Sequence, residues 1–279
     1  MTAAAIHADT APAARQGWRS LLWIAPLTAL WAALNYWQPG IQGSGMPNTA
    51  IRLMVHALIA VGLWLALEHA EMTPTQRRNV WLAIMIPFTL WLAAIWCAAV
   101  NGVFRPVPEG GPPLLPLAIF IPVIIGAPIL LRSKRIGQIL DAMPESWLIA
   151  LQLYRVFGAI FLVNWARGVA PGLFALPAGT GDVITGLLAV PVAISLASGD
   201  GRRAAIAWNI FGLFDFAVAI GMGLITAPGP LQLIVPSLPS IGAGTYPTVM
   251  IPAFAVPSSI LLHALSLRQL RRRASDASR

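Results

Sequence analysis

A chain of 279 residues in which 57% are hydrophobic and only 10% charged, with a mean hydropathy of +0.74, does not have the composition of a water-soluble domain, where about 25% of residues are charged. In water such a chain would expose apolar patches large enough to aggregate, whereas a bilayer requires that kind of surface. The net charge of +8 sits in short segments between apolar runs and not on one polar, aromatic face, which excludes nucleic acid as the expected partner and leaves the lipid bilayer.

Residues 1–16 are alanine-rich, carry Asp9 and Arg15, and lack the apolar core of a cleavable signal, so they are expected to form a disordered cytoplasmic tail. A helix needs about 20 apolar residues to cross the hydrocarbon layer. Windows that meet or approach this fall at 18–37, 51–68, 79–104, 113–131, 146–165, 172–198, 204–226 and 247–267. The expected fold is therefore all-α, a polytopic transmembrane helical bundle of about eight spans, filling residues 17–268 and followed by a basic cytoplasmic tail at 269–279. Arg77 and Arg78, then Arg132, Lys134 and Arg135, then Arg202 and Arg203 all follow even-numbered spans. The other loops carry little beyond Arg105 and Arg167, and Arg52 stands at a helix edge where it can snorkel to the headgroups. Because both ends of the chain are basic as well, both are expected in the cytoplasm.

Prolines such as Pro26, Pro87, Pro122, Pro128 and Pro191 interrupt the spans and predict kinks, and Trp18, Trp37, Trp165 and Trp208 lie near span ends as interfacial aromatic anchors do. The uncharged segment 229–244 is compatible with a lid, a short interfacial helix or a re-entrant loop.

The first four spans hold almost no ionisable residue at mid-depth, whereas the next three hold Arg155, Asp182 and Asp215 in turn. Each lies roughly 16 Å along its helix at 1.5 Å per residue, and half the hydrocarbon layer is about 15 Å, so the three are expected to meet near the midplane. Left unpaired they would cost about 2.5–3.5 kcal/mol each. An arginine fork between two carboxylates removes most of that cost and leaves one negative charge, which a proton or a cation would neutralise. Gln152 lies one turn before Arg155, and Asn209 and Gly212 share a helix face with Asp215. Tyr154 and Thr180 join Gln152 and Asn209 in the candidate substrate or proton site, and Thr185 and Asn164 are placed to extend its hydrogen-bond network. Pro177, Gly179 and Gly181 stand immediately before Asp182 and are expected either to break the helix or to let neighbouring helices approach closely.

His56 and His263 are expected at different depths, each bonded to a neighbour, so they do not suit the two axial positions of one haem. Cys97 is the single cysteine. With no Cys-x-x-Cys, His-Glu-x-x-His or phosphate-binding loop pattern, neither metal nor cofactor is expected.

Gly179-Thr180-Gly181-Asp182 and Phe214-Asp215 are similar to the Gly-x-Gly-Asp and Tyr-Asp motifs of intramembrane aspartyl proteases. Here, however, their order is reversed, phenylalanine replaces tyrosine, the later Pro-Ala-Leu motif has no counterpart, and Arg155 opposes the shared proton that an aspartyl dyad requires. Over residues 151–268, the runs Leu153-Tyr154-Arg155-Val156-Phe157-Gly158, Leu176-Pro177-Ala178-Gly179-Thr180-Gly181-Asp182, Trp208-Asn209-Ile210-Phe211-Gly212-Leu213-Phe214-Asp215 and Leu262-His263-Ala264-Leu265-Ser266-Leu267 resemble bacterial multi-pass membrane proteins of uncharacterised function. That resemblance implies the topology and a bacterial cytoplasmic membrane, and brings no activity with it. Two functional readings stay open. One is a small-solute or proton-linked permease, which requires a cavity reaching Asp182 from one side. The other is a non-transporting sensor or assembly protein in which a sealed cluster braces the helices.

Overall fold

The computed structural model of the protein describes residues 46–106 and 112–277. The expected tail and first span, with Trp18, Pro26 and Trp37, lie outside the described residues, as does the side chain of Arg52. The elements are α1 (Met46–Glu68), α2 (Pro74–Val100), α3 (Leu114–Arg132), the short α4 (Lys134–Ala142), α5 (Ser146–Ala166), α6 (Gly172–Ala197), α7 (Arg202–Thr226) and α8, which begins at Ile251 and ends at Ala277. There is no strand among the described residues. Six helices are long and apolar enough to cross a membrane, and α1 adds a shorter apolar stretch, Leu53–Glu68.

Local chemistry accounts for where the helices differ from the hydropathy windows. α2 starts upstream of residue 79 because Thr73 and Gln76 form a capping box: the Gln76 amide donates to Thr73 Oγ1 at 3.3 Å and the Thr73 amide to Gln76 Oε1 at 3.0 Å. It stops at Val100, ahead of Gly102, whose φ of +73° continues no right-handed helix. α8 begins later than 247 with a π-helical turn over Ile251–Ala255, then runs as α-helix over Val256–Ala277. The basic run after Arg268 is thus part of the last helix and not a separate tail.

The exterior is apolar and the interior holds the polar groups. Leu90, Ile124, Ile129 and Phe214 are more than half exposed, while Gln152, Arg155, Asn209, Ser259, His263, Ser266 and Gln269 are buried. In water this would be inside out; in hydrocarbon polar groups must turn inward, where most of them find partners.

The arginine-rich ends gather on one face. There α4, an amphipathic helix absent from the sequence-based expectation, is capped by Ser133 and clamped beneath α8. Gln269 Nε2 donates to the carbonyls of Leu140 and Met143 at 2.6 and 2.9 Å, and Arg268 donates to those of Leu130 and Ser133 at 2.7 and 2.9 Å. Arg272 holds both oxygens of Asp141, at 2.8 and 2.5 Å. The Arg272 hydrogen bond, against the opposing effect of burial, keeps the Asp141 carboxyl below its ordinary value of 3.8. A carboxylate with a depressed folded value contributes stability that is complete above the unfolded value and is lost as pH falls through the folded one. Asp141→Asn is therefore expected to be less stable than the parent above pH 3.8 and to converge with it in more acid solution, as read by thermal unfolding across that range. The pair is partly exposed, so the difference is small.

On the opposite face lie the described ends of the α2–α3 connection and the connections α5–α6 and α7–α8. The segment 229–244 is mostly irregular, with turns, bends and a single 3-10 turn at Gly242–Gly244. It is tied to the end of α7 by the amides of Leu233 and Ile234, both donating to the Ile225 carbonyl at 2.9 Å.

Candidate functional site

Arg155, Asp182, Asp215 and His263 each occupy the middle third of their helices, α5 to α8. Arg155 lies in a 3-10 segment, Leu151–Gly158, that interrupts α5. With 3.0 residues per turn, this winding stacks Gln152, Arg155 and Gly158 on one face, and that face meets α6. The guanidinium then spans two acids: Nε donates to Asp182 Oδ1 at 2.8 Å and Nη2 to Asp215 Oδ2 at 2.5 Å. Its plane lies 3.8 Å from the centre of the Phe216 ring, and Nη1 reaches the Gly212 carbonyl at 3.5 Å and His263 Nε2 at 3.1 Å.

Those contacts assign the imidazole. A guanidinium only donates, so His263 Nε2 accepts and its proton is on Nδ1, which donates to Asn209 Oδ1 at 2.9 Å. The Asn209 amide nitrogen in turn donates to Ser266 Oγ at 3.0 Å and to the Ala205 carbonyl at 2.8 Å. Trp208 closes the arginine-rich side: its ring lies 4.8 Å from that of His263, and its Nε1 donates to the Thr185 carbonyl at 2.9 Å.

Glycines make this density of contacts possible. A Cβ on Gly181 would stand 1.5 Å from Asp215 Oδ1, one on Gly158 2.2 Å from Asp182 Cβ, and one on Gly212 2.4 Å from His263 Cε1. Gly179 and Gly186 sit equally close to Leu162 and to the Val156 amide. The expected break at Pro177, Gly179 and Gly181 is not found: α6 runs without interruption over Gly172–Ala197 with Pro177 inside it. The small residues serve close helix approach, and the irregular backbone is in α5 and at the start of α8.

Of the other expected site residues, Asn209 belongs to the network as its second link. Tyr154 is buried and bonds Ser259 Oγ on α8. Gln152 is fully buried one turn from Arg155, with both amide atoms lacking a hydrogen-bond partner among the described residues. Thr180 is exposed on the outer surface of α6 and is no part of the site, because Asp182 and Gly181 take the inward face. His263, Ser266 and Phe216 were not anticipated. His56 is apart from them, bonded to Thr89 Oγ1 at 2.8 Å.

Between the cluster and the loop face lies a cavity of about 130 Å³. Its walls are largely apolar, with Ile119, Phe161, Phe174, Phe216 and Ile220 among them, and Asp182 is the one member of the charged cluster on its lining. Arg105, Leu231 and Ser240 from the loops line its outer end, so the segment 229–244 lies over it as a cover.

A family described as a domain of unknown function, DUF8737, matches residues 112–271, more than half of the chain. The chain belongs to this family. The DUF8737 segment runs from the start of α3 into α8 and contains all four cluster residues, while α1 and α2 precede it. No curated protein and no solved structure matches the chain.

Proposed function

We propose that this chain is an integral protein of a bacterial cytoplasmic membrane, with eight spans and both ends in the cytoplasm, and that it acts as a small-solute or proton-linked permease through Arg155, Asp182 and Asp215. The observation that carries this reading is the cavity that leads from the loop face to Asp182 while Trp208 and its neighbours close the other side. Two carboxylates against one guanidinium leave a single negative charge at the inner end of an apolar cavity. A proton or small cation arriving there neutralises Asp182 and weakens its bond to Arg155 Nε, while the guanidinium keeps its bonds to Asp215 and His263. The 3-10 segment supports a change of position, since such stretches within a helix have poorer hydrogen bonds and often mark hinges. With the arginine-rich face in the cytoplasm, the cavity opens outward.

The brace reading draws on a different observation, the number of hydrogen bonds already made by Arg155, and the experiment separates the two. In proteoliposomes under an imposed membrane potential, Asp182→Asn and Asp215→Asn are each expected to lower proton or solute flux about tenfold or more, the effect of about 1.4 kcal/mol on a barrier. Altered unfolding stability with unchanged flux at every pH would overturn the permease reading and leave a sensor or assembly protein.

A further inference from the structure

We infer that the cavity is a binding site for a small hydrophobic amine, a benzene-sized apolar body with one protonated nitrogen seated against Asp182. The purpose of such a site rests on the permease reading, whereas its chemistry rests on the cavity alone.

Size comes first. The cavity measures about 130 Å³, and an apolar protein cavity of about 150 Å³ is known to hold benzene. Its walls suit such a body, with the phenylalanine rings of Phe161, Phe174 and Phe216 among them and the branched side chains of Ile119, Ile220 and Val256.

Charge comes next. Asp182 reaches the cavity and its side chain keeps 13% of its surface exposed. Oδ1 is occupied by Arg155, while Oδ2, which lies beside Gly158, makes no hydrogen bond among the described residues, so the carboxylate that lines this apolar chamber keeps unused acceptor capacity. Arg155 itself is not on the lining. Its guanidinium lies over the Phe216 ring, so a ligand meets the acid of the cluster and not the base. At the outer end a second polar atom is unused: Ser240 Oγ, on a residue 2% exposed that lines the cavity, has no hydrogen-bond partner among the described residues. Arg105 also lines the cavity, but it is exposed at the outer end, where water and salt screen its charge, whereas the Asp182 charge acts in a low-dielectric interior. An anion of the same size would be repelled at the floor, and a neutral hydrocarbon would leave the carboxylate oxygen unpaired.

The test uses the full chain in lipid nanodiscs, with benzylamine, toluene and benzoate as probes at neutral pH, and reads binding by saturation-transfer NMR and by titration. Benzylamine is expected to bind about tenfold or more tightly than toluene, and benzoate not at all. Asp182→Asn should bring benzylamine down to the level of toluene, while Gly223→Leu, whose Cβ meets only Phe174 at 3.5 Å, should fill the chamber and abolish binding with the charged cluster intact. Equal binding of the three probes, or benzylamine binding untouched by either substitution, overturns the inference. Should Asp182→Asn fail to fold, the three-probe comparison and Gly223→Leu decide it. Benzylamine binding without any flux in proteoliposomes would sink the permease reading and leave the site standing; flux that depends on Asp182 without benzylamine binding would do the reverse.

Discussion

Arg155→Met is expected to destabilise the protein by about 3–5 kcal/mol, the usual consequence of removing one partner from a buried ion pair. Arg155 is 3% exposed and is the only cation within salt-bridge distance of either acid among the described residues, so its loss leaves two carboxylates facing each other across α6 and α7. The loss should be recovered in large part by Arg155→Met/Asp182→Asn/Asp215→Asn, which keeps the shapes and removes every charge. Asparagine is chosen because Gly158 and Gly181 leave no room for a bulkier side chain against positions 182 and 215. Reversible unfolding in bicelles would measure both variants. A single variant as stable as the parent would mean that the guanidinium does not hold these helices together.

The second large effect is expected from one methyl group. Gly181→Ala would place a Cβ 1.5 Å from Asp215 Oδ1, so either α6 and α7 separate or Asp215 leaves Arg155. Overpacking alone costs about 1–3 kcal/mol, and part of the ion pair is lost with it. Gly223→Ala is the internal comparison: its Cβ would meet Phe174 at 3.5 Å, an ordinary contact, and alanine gains about 0.5–1 kcal/mol over glycine within a helix. The same substitution is thus expected to be severely destabilising at one glycine and neutral or mildly stabilising at another on a different helix. Similar unfolding curves for the two would remove the steric argument for the site.

How far each part of the site could be read in advance follows from the kind of signal it leaves. Arg155, Asp182 and Asp215 were legible because a charge within an apolar window is conspicuous, and counting along each helix gives its depth. His263 was missed because the last helix was placed too early, at 247–267, which put it near the cytoplasmic end; with α8 extending to Ala277 it falls at mid-depth. The stripe Ser259, His263, Ser266, at spacings of four and three, was the signal that would have found it. Thr180 was misplaced for another reason. It stands between Gly181 and Gly179 in sequence, but one residue turns a helix by about 100° and carries it to the outer surface. The 3-10 winding of α5 left no clear mark, since Leu151–Gly158 holds no proline and the tighter turn is packed against α6.

What the amino-acid order settled by itself was the solvent and the rough position of the apolar helices, because hydropathy is a local sum over some twenty neighbours and needs no knowledge of the rest of the chain. Which polar groups meet was decided only by the tertiary structure. That depends on the rotation and sliding of each helix against the next, set here by glycines at positions 158, 181, 186 and 212, whose missing side chains have meaning only once a neighbour lies against them.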